Sequence, residues 1–170
     1  MKGFWMAAIL GMAISAGGCG MAAKTVKSSA PPPNGVDAQM QAFSGVGETS
    51  RTDQGFDIVI PGDSLFKPGY THLSADGIQK AEDLAPVLSK FSADSVTVLD
   101  YTDNIGKASK NLRLSQRRAD HLKAELVKLG IATAAITAQG KGESDPMAAN
   151  DTSQGQAQNR RVVVEIVPRS

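Results

Sequence analysis

Phe56-Asp57-Ile58-Val59-Ile60 alternates apolar and polar positions, the period of a half-buried strand. Pro61-Gly62-Asp63 breaks it, Phe66 is placed to pack inward, and Pro68-Gly69 makes a further turn. Ser74 reads as a helix N-cap, with Leu73 and Ile78 spaced for a hydrophobic staple. Ile78, Ala81, Leu84, Ala85 and Leu88 recur at helical spacing and predict that helix's buried face. Pro86 inside the pattern predicts a kink or an early end. Val96-Thr97-Val98-Leu99 is a second strand. A second helix is predicted from about Ser109 to Leu129, stopped by Gly130, with an apolar stripe of Leu112, Ser115, Ala119, Leu122, Leu126 and Leu129. Ala135–Ala138 is a third strand. Gly140, Gly142 and Pro146 mark a loop, and Arg161–Val167 is the last strand. The order β-α-β-α-β-(loop or short helix)-β, over residues 53–170, predicts an α+β two-layer sandwich: helices packed on one face of a mixed parallel and antiparallel sheet.

The chain before this domain has another texture. Residues 1–18 hold one lysine, then an apolar run from Phe4 to Ala16 that is short for a membrane span and is followed by small residues. That is the form of a secretory signal peptide. Cys19 comes next, in Ala16-Gly17-Gly18-Cys19, and is the chain's only cysteine, so no intrachain disulfide exists. The stretch resembles a bacterial lipobox, with Ala16 where leucine is usual. The resemblance implies a lipidated Cys19 and, with Gly20 rather than aspartate after it, an outer-membrane destination. Three acyl chains exceed the two signals that stable anchoring needs. Residues 19–52 are rich in Ala, Ser, Gly and Pro, including Pro31-Pro32-Pro33, and predict a flexible tether with a coil span of roughly 30 Å. Within it, Val36–Phe43 has the pattern of a transient helix.

Charge narrows the chemistry further. The 170 residues carry 18 Lys+Arg against 17 Asp+Glu, with no like-charge block and 5% aromatics. A nucleic-acid partner is therefore not expected. Two histidines and one cysteine offer no metal-ligand spacing, and no cofactor is expected. No nucleophile sits in an elbow, and Gly140-Lys141-Gly142-Glu143-Ser144 lacks the spacing of a phosphate loop, so no enzyme is expected either.

On the second helix, Asn111 and Arg118 are seven residues apart, within about 20° of each other and about 10 Å along the axis. Arg118 borders the apolar stripe, and Arg117 points further out. Alone, Arg118 would be a snorkelling surface residue and Asp103 an Asx-turn residue. The whole string alters that weighting. Thr102-Asp103, Gly106, Asn111, Leu114-Ser115 and Arg118-Ala119 fall at fixed spacings, as do Gly140-x-Gly142-Glu143, Pro146 and Gly155-x-Ala157-x-Asn159-Arg160-Arg161-Val162.

In these motifs residues 56–167 resemble the OmpA-like peptidoglycan-binding domain. The resemblance implies non-covalent binding of peptidoglycan through the diaminopimelate of its stem peptides, and so an outer-membrane lipoprotein on the periplasmic face that ties the membrane to the wall. Carried over residue by residue, Asp103 meets the ligand ammonium and Arg118 its carboxylate, by a planar fork. Thr102, Asn111 and Leu114 line the pocket, and backbone N–H groups around Asn104 to Gly106 face the carboxylate. Asn159 and Arg161 stand evenly between a ligand role and a structural one. Asp100-Tyr101 replaces the family's Gly-His, and the negative charge of Asp100 either weakens affinity, selects an amidated stem, or points away from the site. The alternative function is a lipoprotein subunit of an envelope machine (secretion, motility or barrel assembly) acting mainly through protein contacts.

Overall fold

The computed structural model describes residues 35–90 and 93–168. Its strands are β1 (Glu48–Arg51), β2 (Phe56–Pro61), β3 (Ala93–Tyr101), β4 (Ile136–Gly142) and β5 (Arg161–Pro168). Its helices are α1 (Val36–Phe43), α2 (Gly62–Leu65), α3 (Ala75–Lys90), α4 (Ala108–Lys128) and α5 (Ser153–Asn159), with a 3-10 turn at Thr133–Ala135. The strands form one sheet in the order β1-β2-β5-β3-β4. Only β3 and β4 run parallel. This is the mixed-sheet α+β sandwich that the sequence predicts.

Strand parity sorts the side chains. Ile58, Ile60, Val96, Val98, Val162, Val164 and Ile166 join Ala81, Leu84, Ala85 and Leu88 of α3 and Ala119, Leu122 and Leu126 of α4 in one core. Leu99, Tyr101 and Val163, with Val59, cluster separately on the other sheet face. Asp100 therefore points to the helix side and Tyr101 away from it.

Three expectations about the helices need correction. Ile78 is 39% exposed and is not part of the buried face. The core stripe of α3 centres about 70° from Ile78 but only about 30° from Gly77, and Gly77 lies against the backbone of Leu65, 2.2 Å from where a Cβ would stand. The Ser74 cap itself forms, its hydroxyl accepting from Gly77 N at 3.0 Å. Pro86 does not end α3: it is exposed, as is Glu82 one turn earlier, so the carbonyl it frees can turn to water. Leu112 is 52% exposed. There the α4 backbone itself fills the space, with Leu112 N and Cα 3.2 Å from where a Cβ on Gly142 would stand.

Gly140 and Gly142 lie inside β4 rather than in a loop. A Cβ on Gly140 would stand 2.2 Å from Gln116 N, so only glycine lets α4 come this close to the strand. The Gln116 side chain accepts from Gly140 N at 2.9 Å and donates to Ala138 O at 3.3 Å. Ser115 Oγ accepts from Gly142 N at 2.9 Å. These bonds fix the height and rotation of α4 over the sheet.

The folded domain also begins earlier than residue 53. Residues 36–51, read from sequence as the end of the tether, are α1 and β1. Phe43 is 1% exposed with its ring 5.6 Å from that of Phe56, Val46 is buried, and β1 pairs antiparallel with β2. Two apolar side chains in a polar stretch suffice to close that end of the core. The expected signal peptide (1–18), Cys19 and the expected tether as far as residue 34 lie outside the described residues.

Candidate functional site

The β3 strand ends at Tyr101 and hands the chain to Thr102-Asp103, which α4 then overhangs. Thr102 is buried, its N–H donating to Gly142 O at 2.7 Å and its hydroxyl to Asp103 O at 2.8 Å. Asp103 is 8% exposed. One carboxylate oxygen accepts from Ile105 N at 3.1 Å, an Asx-turn that bends the loop, and the other accepts from Arg160 Nη1 at 2.8 Å. Asn111 reaches across from α4, its amide donating to Glu143 Oε2 at 3.0 Å and to Asp103 O at 3.4 Å. The last turn of β3, the start of α4 and the end of β4 are thereby joined.

Arg118 is 5% exposed. Its Nε donates to Tyr70 O at 2.9 Å and one terminal nitrogen to Lys67 O at 3.4 Å. Its guanidinium lies 5.0 Å over the Phe66 ring. Burial pulls its pKa down, opposed first by the charge of Asp100 and then by Asp63 and Asp103. Two of its five N–H donors are engaged, which leaves three for a ligand.

Thr102, Asp103, Asn111, Leu114 and Arg118 line one cleft of about 490 Å³, together with Asp63, Pro68, Gly69, Ile105 and Arg160. Five of the sequence-predicted residues are thus brought together. Asn104 and Gly106 are not in that lining: both are exposed in the loop, where Gly106 serves a φ of +103°. The N–H of Ile105, between them, is taken by Asp103. Arg161 is not in the cleft either. Its guanidinium lies 3.8 Å over the Tyr101 ring, on the other sheet face, and donates to Asp145 O and Asn159 O. Asn159 is likewise structural, clasping both the N–H and the carbonyl of Ala148.

Sequence reasoning missed Arg160 and Asp63. Arg160 binds Asp63 with two nitrogens, at 2.9 and 2.6 Å, and Asp103 with a third. Those bonds pull the Asp63 carboxyl below its ordinary range and raise the Arg160 guanidinium. Two aspartates and two arginines therefore line the cleft with balanced charge. The signal was present in Asn159-Arg160-Arg161: successive side chains at a strand start point to opposite faces, so one of the two arginines had to face the cleft.

Asp100 is 1% exposed, with one carboxylate oxygen lacking a hydrogen-bond partner among the described residues. Burial raises its pKa well above the carboxylate range, and the Arg118 charge opposes part of that rise. It is buried from solvent and is not in the cleft lining, and it acts on Arg118 through its charge. His72 and His121, distant in sequence, stack at 4.2 Å, with His121 Nδ1 2.7 Å from Thr71 O. Among the described residues no His, Cys, Asp or Glu cluster could hold a metal ion.

This chain is similar to proteins of known kind. Over 121 residues it is 36% identical to the Escherichia coli protein named Probable lipoprotein YiaD, covering 70% of this chain and 55% of that protein. Over 138 residues it is 32% identical to the outer-membrane lipoprotein YfiB of Pseudomonas aeruginosa, covering 81% and 82%. The fold matches the cell wall anchor of the Pseudomonas aeruginosa T6SS with a TM-score of 0.68 at 23% identity, covering 80% of this chain and 99% of that one. The OmpA family model matches residues 65–160, which hold α4 and every cleft-lining residue but Asp63. The chain belongs to the OmpA family.

Proposed function

We propose that this chain is an outer-membrane lipoprotein whose folded domain holds peptidoglycan non-covalently by the meso-diaminopimelate of its stem peptides. The observation that carries the proposal is the pairing of opposite charges in one cleft: Asp103 and Asp63 with Arg118 and Arg160. A free diaminopimelate end carries one ammonium and one carboxylate. The carboxylate takes the unused donors of Arg118, in a fork that a lysine could not reproduce. The ammonium takes Asp103, whose oxygens are already aimed by Ile105 N and Arg160. Because the backbone of residues 67–70 and the Phe66 ring hold Arg118 in place, little side-chain freedom is lost on binding. Support for the membrane end comes from YfiB, named an outer-membrane lipoprotein, and from Cys19 after the apolar run.

Purified protein should sediment with insoluble peptidoglycan, and free meso-diaminopimelate should release it. Asp103→Asn should weaken sedimentation at least about tenfold, the usual scale for removing one charge from a partly buried pair. If the parent stays in the supernatant, the cleft does not hold the wall, and a protein partner is the remaining role. Cys19→Ser should move the protein from the membrane to the soluble periplasmic fraction; unchanged fractionation would remove the lipid anchor from the proposal.

A further inference from the structure

The chain as a whole is nearly neutral, at +1, yet its charge is not evenly spread along α4. Lys107 stands at the N-cap, and Lys110, Arg113 and Arg117 follow on the exposed side of the helix. No acidic residue occurs in the first turn, and none in the helix before Asp120. That arrangement opposes the helix dipole, whose positive end favours aspartate or glutamate there. Stability alone would select against it.

Three of these four cations share a surface. Lys110, Arg113 and Arg117 line a groove of about 220 Å³ with Gly69, Thr71 and Leu114. Gly69 and Leu114 also line the diaminopimelate cleft, so groove and cleft adjoin and share a wall there. The side chains of Lys110, Arg113 and Arg117 form neither hydrogen bonds nor ion pairs with other described residues. The helix N-terminus adds its own positive potential to theirs.

We infer that this groove is a second subsite, which takes the free α-carboxylate of the γ-linked D-glutamate preceding diaminopimelate in the same stem peptide. The inference rests on the diaminopimelate reading of the cleft. With the free end of diaminopimelate held by Asp103 and Arg118, the D-glutamate is joined at the opposite end of that side chain and through its own γ-carboxyl, so its α-carboxylate lies on the order of 10 Å from the held end, about two to three residue lengths. Its only charge is that carboxylate, and the shared wall at Gly69 and Leu114 leads it to the cations. The groove then discriminates stems by their D-glutamate: the acid is held and the amide is not. Two or three exposed ion pairs, each weak alone, together give about a tenfold preference at low salt.

The test titrates purified full-length protein, at low ionic strength, with meso-diaminopimelate, with the tripeptide L-Ala-γ-D-Glu-meso-diaminopimelate, and with the same tripeptide amidated at the D-glutamate α-carboxyl. The parent should bind the acid tripeptide about tenfold tighter than the amide. The K110A/R113A/R117A variant should bind both tripeptides alike, at the amide's affinity, and meso-diaminopimelate as the parent does. It should melt close to the parent, since the three side chains are exposed and make no hydrogen bond or ion pair with other described residues, and Lys110 alone stands in the first turn, where losing a cation is favourable; Arg113→Gln gives a milder reading of the same effect. Equal binding of acid and amide by a parent that still binds meso-diaminopimelate overturns the inference and leaves the cleft reading standing. Discrimination that survives the triple substitution also overturns it. A parent that binds none of the three ends both. Cation-dependent binding to phosphatidylglycerol vesicles, with no preference between the tripeptides, would assign the groove to lipid phosphate instead.

Discussion

Replacing Arg118 with alanine should cost the fold as well as the ligand. The side chain is buried and stitches α4 to the segment between α2 and α3 through bonds of 2.9 Å to Tyr70 O and 3.4 Å to Lys67 O. A hydrogen bond from a charged donor contributes about 1.5–3 kcal/mol, and the longer of these two lies at or below the bottom of that range. The guanidinium over Phe66 adds about 0.5–1 kcal/mol. Two effects offset these gains. Lys67 and Tyr70 are exposed, so water can satisfy the carbonyls left behind. Removing the cation also returns the desolvation that pulls its pKa down. The net loss for Arg118→Ala is about 2–3 kcal/mol, or about 10 °C in melting temperature for a domain of this size. Arg118→Lys should lose about half as much. Urea denaturation followed by circular dichroism measures it. A variant within about 0.5 kcal/mol of the parent would show that these bonds are idle and that Arg118 is held for the ligand alone. Weakened wall binding by Arg118→Ala must accordingly be read beside its stability, and Asp103→Asn at the other end of the ligand supplies the comparison.

Leu122→Ala, at a site 1% exposed in the middle of α4, should cost about 2–5 kcal/mol in the same assay; a loss near zero would contradict the helix phase. Gly140→Ala should destabilise by at least about 2 kcal/mol, because its Cβ meets backbone atoms of Gln116 rather than a side chain that could move; expression at the parent's melting temperature would refute the close approach. Asp100→Asn should be stabilising at neutral pH. Burial raises the Asp100 pKa in the folded state, so the fold keeps a proton that the unfolded chain loses above about pH 4. Parent stability therefore falls as pH rises from about 4 towards the folded pKa and levels off above it, while the asparagine variant lacks that slope. Parallel pH profiles between pH 4 and 8 would show that Asp100 does not titrate with folding.

Much of the fold was legible because its signals are local. Phe56–Ile60 and Arg161–Val167 alternate or run apolar over a few residues, and Ser74 caps the helix it precedes. Local signals also misled. Ile78 and Leu112 fit an apolar stripe by spacing, yet a glycine with a close backbone neighbour occupies the buried side at each place. Gly140 and Gly142 read as loop because glycine normally breaks a strand, and the helix pressed on them is invisible in a one-dimensional string. The site divides in the same way. Asp103 and Arg118 drew notice through a string of spacings, whereas Asp63 and Arg160, 97 positions apart, meet only once the sheet brings β2 and β5 side by side. Arg161 came in with the family motif, and although the last strand does begin there, its run of apolar residues does not reveal which sheet face the first residue takes; one residue of phase exchanges the two faces.

The Gln116 clamp on β4 has a consequence for the company this protein keeps. β4 is the outermost strand on its side, and an outermost strand offers unpaired N–H and carbonyl groups to any other extended chain. Here Gln116 occupies Ala138 O and Gly140 N with its own amide, in the way a neighbouring strand would, and Ser115 occupies Gly142 N. The opposite margin, β1, is only four residues long and carries Glu48 and Arg51. Crowded beside copies of itself, the domain presents at β4 a margin already sealed by its own helix, and at β1 one too short and too charged to template a growing sheet.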